Sequence, residues 1–303
     1  MVGPTCTCAV LSRTATLPER PGAMLATGRS SGTEQGEDDD VKVVLFCGGR
    51  GLRLREFSET IPKPMVTIGY RPILWHVMRY YAHFGHADFI LCLGYKADVI
   101  KDYFLRYNEA VSNDFVLSDG GKTISLLSAD ITDWRIALVD TGLRTNVGGR
   151  LRAVRKHLEG EEMFLANYGD TLTDAPLDQF IEEFKASGKI AAFIAVSPKS
   201  YTFHLVQMGD GRQVRQIDSV SSADLWLNGG YFMFRREIFD YLGPGEELVA
   251  EPFSRLIAED QLIAFQHSGY WAPMDTLQDL QNLEAGYEAG QLPWAVWQPH
   301  DPV

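Results

Sequence analysis

The stretch Val41-Lys42-Val43-Val44-Leu45-Phe46-Cys47-Gly48-Gly49-Arg50-Gly51-Leu52-Arg53-Leu54, followed by Ile61-Pro62-Lys63-Pro64-Met65, constrains this chain more than any other. An apolar run that ends in glycines reads as a buried parallel strand entering a tight loop. Gly48, Gly49 and Gly51 let backbone amides approach a polyanion with no Cβ in the way. Arg50, Arg53 and Lys63 add positive charge to the same mouth. The glycines alone are equally compatible with an ordinary turn carrying solvated basic residues. Pro62-Lys63-Pro64, ten positions beyond Arg53, tips the balance toward a phosphate site. A Rossmann fingerprint would need a third glycine where Leu54 stands, and a Walker loop would need Gly-Lys-Ser/Thr, so the site is of another kind.

Composition narrows the partners. The chain has 303 residues and a net charge of −12, which argues against a general nucleic-acid surface. A nucleotide substrate stays compatible, because the charge inside a cleft can oppose the global sign. An acidic protein that binds a polyphosphate usually brings Mg²⁺ as an intermediary, so metal ligands are to be sought. No stretch approaches the roughly 18 apolar residues of a membrane span. Four cysteines are too few for a disulfide scaffold, and a reducing, cytoplasmic setting is expected. Cys47 and Cys92 lie in apolar runs and read as buried thiols. Residues 1–40 hold Cys6 and Cys8, end in Glu37-Asp38-Asp39-Asp40, lack hydrophobic periodicity and are expected to be a disordered tail. They carry no basic n-region of a signal peptide, and Met24 is an alternative start.

From Val41 onward, strand and helix patterns alternate. Pro72 to Phe84 has helical spacing with Pro72 at its first turn, Phe89 to Leu93 is a strand, and Asp98 to Tyr107 is helical again. This alternation predicts βαβ units and an α/β, Rossmann-like sheet, mainly parallel and flanked by helices. Residues 108–134 interrupt it with two short strands around Asp119-Gly120-Gly121, a small β insertion that reads as a surface hairpin. Arg135 to Asp140 resumes the sheet. Ile190 to Val196, Leu205 to Met208, Gln213 to Ile217 and Gly229 to Phe234 follow, with Gly209-Asp210-Gly211 as a hairpin turn, so the second half is expected to be mixed. His76, His83 and His86 have no metal-ligand partners in sequence and are expected to be partly buried or surface imidazoles.

Three further segments carry chemistry. Thr145-Asn146-Val147-Gly148-Gly149-Arg150 opens a helix with a hydroxyl, glycines and an arginine, suited to an anion or a base edge. Met163 to Gly169 is an apolar strand delivering Asp170 just past its end, where ligands bind in open α/β sheets. Gly269-Tyr270-Trp271-Ala272-Pro273-Met274-Asp275 places a second carboxylate before a helix running from Leu277 to Tyr287; either carboxylate could instead serve as a turn or helix cap.

Gly-Gly-x-Gly-x-Arg-Leu at 48–54 with Pro-Lys-Pro-Met at 62–65 resembles the sugar-1-phosphate nucleotidylyltransferases. Ile68-Gly69-Tyr70-Arg71-Pro72-Ile73-Leu74-Trp75-His76 is especially similar to the glucose-1-phosphate cytidylyltransferase branch. The resemblance runs from Val41 to about Trp297, giving one nucleotidyltransferase domain over 41–298. It implies transfer of a nucleoside monophosphate, CMP from CTP, onto a sugar 1-phosphate with release of pyrophosphate, in a homo-oligomer that binds neither nucleic acid nor membrane. It also assigns roles. Arg53, Lys63 and Asp170 would be catalytic, and Asp170 and Asp275 would hold Mg²⁺. Phe46, Cys47, Gly48, Gly49, Arg50, Gly51, Leu52, Arg53, Lys63, Thr145, Arg150 and Gly169 would bind the nucleotide. Asn228 and Gly230 match the turn that contacts the sugar, and Asp218 and Lys199 would join them in binding it.

The chain departs from the family pattern in three places. Thr171 stands where a glycine usually follows the Gly-Asp pair, and Leu52 stands where a threonine is common. Asp218-Ser219-Val220 replaces a Glu-Lys-Pro segment whose lysine grips the sugar phosphate. Lys199 is the nearest substitute cation; otherwise the acceptor is a modified sugar or cyclitol phosphate. Thymidylyl, guanylyl or adenylyl transfer and a non-catalytic sugar-nucleotide binder are the alternative readings.

Overall fold

A computed structural model describes residues 40–49, 61–198, 204–220 and 225–298. Arg50, Gly51, Leu52, Arg53, Lys199 and the 1–39 segment lie outside the described residues. In chain order the elements are β1 (Val43–Phe46), β2 (Thr67–Ile68), β3 (Arg71–Pro72), α1 (Ile73–His83), β4 (Asp88–Leu93) and α2 (Ala97–Leu105). They continue with β5 (Phe115–Ser118), β6 (Thr123–Leu126), β7 (Arg135–Asp140), α3 (Val147–Ala153), β8 (Met163–Asn167), β9 (Thr171–Thr173) and α4 (Leu177–Ser187). The second half adds β10 (Ala191–Val196), β11 (His204–Met208), β12 (Val214–Ser219), β13 (Leu227–Arg235) and α5 (Ile238–Tyr241). It closes with α6 (Glu251–Ala258), β14 (Leu262–His267), β15 (Trp271–Pro273) and α7 (Leu277–Glu288).

Seven strands form one sheet in the order β14-β10-β13-β8-β1-β4-β7. β8, β1, β4 and β7 are mutually parallel, as are β10 and β14. β13 runs antiparallel to β10 and β8, which makes the sheet mixed but mainly parallel. The continuous apolar composition of β1 and β4 follows from this position: Val43, Val44, Leu45, Leu91 and Leu93 are fully buried because helices cover both faces. α1 contributes Ile73, Leu74, Val77, Met78 and Tyr81 to the same core.

The topology collects particular loops along one edge. Because β1, β4, β7 and β8 are parallel, their carboxyl ends, at Phe46, Leu93, Asp140 and Asn167, all open onto that edge. β13 runs the other way, and the register Tyr231↔Asn167 sets its first turn, Asn228-Gly229-Gly230, beside the end of β8.

Among the described residues four two-stranded ribbons accompany this sheet: β2–β3, β5–β6, β9–β15 and β11–β12. β9 pairs with β15, with Thr171 opposite Pro273. β5 and β6 form the hairpin expected in the insertion, and Phe115, Val116, Leu117, Ile124 and Leu126 along it are exposed. His83 is exposed, whereas His76 and His86 are buried at 5% and 7%, deeper than their sequence context suggested. His86 is buried because its Nδ1 accepts from Val41 N (3.2 Å), tying α1's exit to the start of β1. His76 lies against Trp75, Trp294 and Trp297 on the most enclosed side of α1. Among the described residues, no helix is long and apolar enough to cross a membrane.

Candidate active site

The β9–β15 ribbon brings two distant carboxylates together. Asp170 immediately precedes β9 and Asp275 follows β15 by two residues, so antiparallel pairing sets them at the same end; Met274 N donates to Asp170 O at 3.0 Å. Asp275 does not cap α7. That role belongs to Thr276, whose hydroxyl accepts from Asp279 N while the Asp279 carboxylate accepts from Thr276 N, a reciprocal capping box. The Asp275 side chain is therefore left to face the cleft.

Lys63 completes the cluster. Pro62 and Pro64 flank it in a single 3₁₀ turn, which fixes the backbone while the side chain reaches inward. Its Nζ donates to Asp170 Oδ2 at 2.6 Å and to Asp275 Oδ1 at 2.6 Å. Burial by itself would lower the lysine's pKa, but Asp170 and then Asp275 outweigh it, and the net shift is upward. Lys63 is thus held as an ammonium.

Arg150 organises the glycine loop from beneath. It projects from α3, whose N-cap Asn146 accepts from Gly149 N at 2.9 Å. Its guanidinium donates to Gly48 O (2.9 Å), Leu93 O (3.0 Å) and Thr141 Oγ1 (2.7 Å), linking the ends of β1, β4 and β7. Gly48 has to be a glycine, since a Cβ there would lie 2.0 Å from Arg150 Nη1. Among the described residues nothing lies within 4 Å of a Cβ built on Gly49. Cys47 is wholly buried below, and burial chiefly pushes its thiol pKa well up.

The edge encloses a cavity of about 510 Å³, lined by Phe46, Gly49, Thr145, Arg150, Asp170, Asn228 and Asp275, all expected from the sequence. Gly169 adopts φ +77 and donates its N–H to Asn167 Oδ1 at 2.6 Å, turning the chain so that Asp170 faces the cavity. Gly230, at φ +81, packs against the Tyr168 ring, and Asn228 Oδ1 accepts from its N–H at 2.9 Å. Asp218 sits on β12, half-buried, and accepts from Gln216 Nε2 at 2.7 Å; it is not among the residues lining the cavity.

Tyr168, Glu247 and Trp271 also line the cavity, and sequence reading did not single them out. Trp271 Nε1 donates to Gly229 O at 2.9 Å, fixing the indole over the Asn228 turn. The Tyr168 hydroxyl's pKa is pushed up to about 12, first by burial and then by the Glu247 charge. Tyr168, inside Asn167-Tyr168-Gly169-Asp170, and Trp271, four residues before Asp275, had a nearby sequence signal; Glu247 had none.

Asp170 and Asp275 suit a divalent cation. Their oxygens are held no more than twice 2.6 Å apart and converge on one positive charge, and Mg²⁺ characteristically takes one or two carboxylates.

Comparison with known proteins shows the family and the fold. The family model described as nucleotidyl transferase matches residues 42–290. Proteins of Salmonella typhimurium and Salmonella typhi, both named glucose-1-phosphate cytidylyltransferase, are 37% identical over 260 residues, covering 85% of this chain and all of theirs. UDP-glucose pyrophosphorylase from Acinetobacter baumannii shares the fold, with a TM-score of 0.60 at 18% identity, over 85% of this chain and 96% of that one. The match over residues 42–290 and the 37% identity over 260 residues show the family: the chain belongs to the nucleotidyl transferases.

Proposed function

We propose that the protein transfers CMP from CTP to a sugar 1-phosphate and releases pyrophosphate. The observation that carries this reading is Lys63 held between Asp170 and Asp275, beside a cavity that the glycine loop and the Asn228 turn share. The choice of base rests on the 37% identity to the Salmonella proteins named glucose-1-phosphate cytidylyltransferase.

In the proposed reaction a phosphate oxygen of the sugar phosphate bonds to the α-phosphorus in line. The bond to the bridging oxygen breaks, and its electron pair leaves with pyrophosphate. Little covalent work falls to the protein, so positioning and charge neutralisation carry the rate. The amides of Gly48 and Gly49, with Arg50, Gly51 and Leu52 beyond them, would cradle the nucleotide. Arg53 would neutralise the departing phosphates, and Lys63 the α-phosphate and its attacker. Thr145, Arg150 and Gly169 would frame base and ribose, with Phe46 and Cys47 supporting the loop. Asn228 and Gly230 would orient sugar hydroxyls. Asp170 and Asp275 would hold Mg²⁺, which supplies Lewis-acid stabilisation and a template for the phosphates.

Two wider expectations belong to the same reading. A homo-oligomer is supported by the exposed apolar residues of the β5–β6 hairpin. A cytoplasmic setting is supported by Cys47 and Cys92, which are buried, free thiols.

A second reading concerns the acceptor. Ser219 supplies no charge where the family carries its lysine, and a phosphate facing Asp170 without a cation would be repelled. Either Lys199 fills in, or a modified sugar or cyclitol phosphate is the true acceptor. Pyrophosphate release measured for each of four nucleoside triphosphates, with Mg²⁺ and a panel of sugar phosphates, tests both readings. CTP as the preferred donor is expected, and absence of release with every donor would refute the assignment. If glucose 1-phosphate is the best acceptor and Lys199→Ala changes nothing, the second reading fails.

A further inference from the structure

The Lys63 ammonium lies where the two carboxylates converge, 2.6 Å from Asp170 Oδ2 and 2.6 Å from Asp275 Oδ1. The ribbon that carries both carboxylates is tied by backbone pairing, so neither can move away alone. Lys63 differs in this respect. Its backbone is set by the flanking prolines, but its charge rides on a flexible four-carbon stem. We propose that Lys63 is a resident counter-ion of the metal site: it holds Asp170 and Asp275 as a pair and is exchanged for the divalent cation when nucleotide phosphates draw it away.

This inference rests on the reading of Asp170 and Asp275 as metal ligands. A cation held by both carboxylates would meet the ammonium at close range, and two positive charges a few ångströms apart in a half-buried cleft repel strongly. The ammonium therefore has to leave the carboxylate oxygens for the cation to take both. An exposed position would not replace the ion pair that Lys63 gives up, but a phosphate oxygen would, through a charge-assisted hydrogen bond. The nucleotide thus relieves the competition for the metal site by offering Lys63 a second anion. By linkage, a cation that displaces Lys63 makes it available to the phosphates, and the two ligands favour each other by the same factor. A single side chain then accounts for both a metal site that stays closed in the absence of nucleotide and a lysine delivered to the phosphates when metal arrives.

The test uses Mn²⁺ as the probe, with free ion followed by electron paramagnetic resonance, on the full chain and without turnover. Lys63→Met should bind Mn²⁺ alone about tenfold more tightly than the wild type. α,β-Methylene-CTP, which cannot react, should tighten Mn²⁺ in the wild type by about tenfold or more, and by clearly less in Lys63→Met. Lys189→Met removes the same charge from a site where Nζ pairs with Asp260, and should leave Mn²⁺ affinity unchanged. Lys63→Gln serves in place of Lys63→Met if the latter does not fold, as judged by circular dichroism. No gain in either Lys63 variant, an equal gain in Lys189→Met, or no tightening by the analogue in the wild type would overturn the proposal. Asp170→Asn in the Lys63→Met background should abolish the gain. Mn²⁺ binding that ignores Asp170 would instead refute the metal-ligand reading beneath it.

Discussion

Gly48→Ala isolates the role of Arg150 in holding the glycine loop. The added Cβ would lie 2.0 Å from Nη1, 2.2 Å from Cζ and 2.6 Å from Nη2 of Arg150, distances no folded protein tolerates. Relief by side-chain motion is closed off, because Arg150 is 4% exposed and its fork donates to three acceptors on three strand ends. Hydrogen bonds from a charged group contribute about 1.5–3 kcal/mol each, so a shift that breaks two costs about 3–6 kcal/mol. For a domain of this size that corresponds to a fall in Tm of roughly 6–24 °C. Gly49→Ala is the matched control. Among the described residues its Cβ meets nothing within 4 Å, so its Tm should stay within about 2 °C of wild type while the KM for nucleotide rises, because the methyl intrudes where phosphates approach the amides. Calorimetric melts and initial rates on the two variants decide it. A Gly48→Ala protein melting within about 2 °C of wild type, or a Gly49→Ala protein falling as far, would refute the argument.

Further outcomes follow from other parts of the molecule. Asp170→Asn and Asp275→Asn should each keep the melting curve and lower kcat at least about a hundredfold, a loss comparable with removing a major electrostatic stabiliser; near wild-type turnover in Asp170→Asn would contradict the metal assignment. His76 is 5% exposed and burial lowers its pKa from 6.5 to about 4, so protonation favours the unfolded chain. Its contribution is therefore complete above about pH 6.5 and declines as pH falls toward 4, by roughly 3 kcal/mol in all. Urea melts across that window should show wild type losing stability relative to His76→Gln as pH falls from 6.5 toward 4, and parallel curves would exclude the effect. Deleting residues 1–40 should leave Tm and specific activity unchanged, since the segment contains no periodic apolar face; a large loss of either would show that it completes the domain.

Local pattern foretold the elements whose environment is uniform along their length. β1 and β4 are apolar throughout because both faces are covered, and α1 begins one residue after Pro72, which is an extended N-cap (ψ 154) rather than the first-turn residue its sequence suggested. The Gly209-Asp210-Gly211 turn between β11 and β12 was legible for the same reason, its glycine at φ +74 being a local requirement. The β9–β15 ribbon was not. Each strand has three residues, too few for a period, and the pairing joins residues about a hundred positions apart. That ribbon is what makes a site from Asp170 and Asp275, so sequence supplied the candidate carboxylates through a family resemblance but not the reason they meet. Glu247 escaped notice because its segment carries no motif, and Trp271 because the segment it belongs to drew attention to Asp275 alone; only the sheet's edge assembles them.

The described site divides its positive charge between two unlike groups. Arg150 is fixed: moving its fork toward a phosphate would leave Gly48 O, Leu93 O and Thr141 Oγ1 without their donor, at the cost of burying unpaired acceptors. Its charge can therefore act on a nucleotide through space and through the loop amides it positions, a preorganised contribution that needs no rearrangement when charge develops. Lys63 is the reverse case. The acceptors it would abandon are carboxylates that a divalent cation can satisfy, so its departure leaves no orphaned partner. Arginine suits the first position because its planar fork spans three acceptors at once, and lysine suits the second because a point charge on a flexible stem can change partners. In a chain of net charge −12, this division lets a cleft lined by Asp170, Asp275 and Glu247 still receive a polyanion, with one cation shaping the loop and the other moving with the ligand.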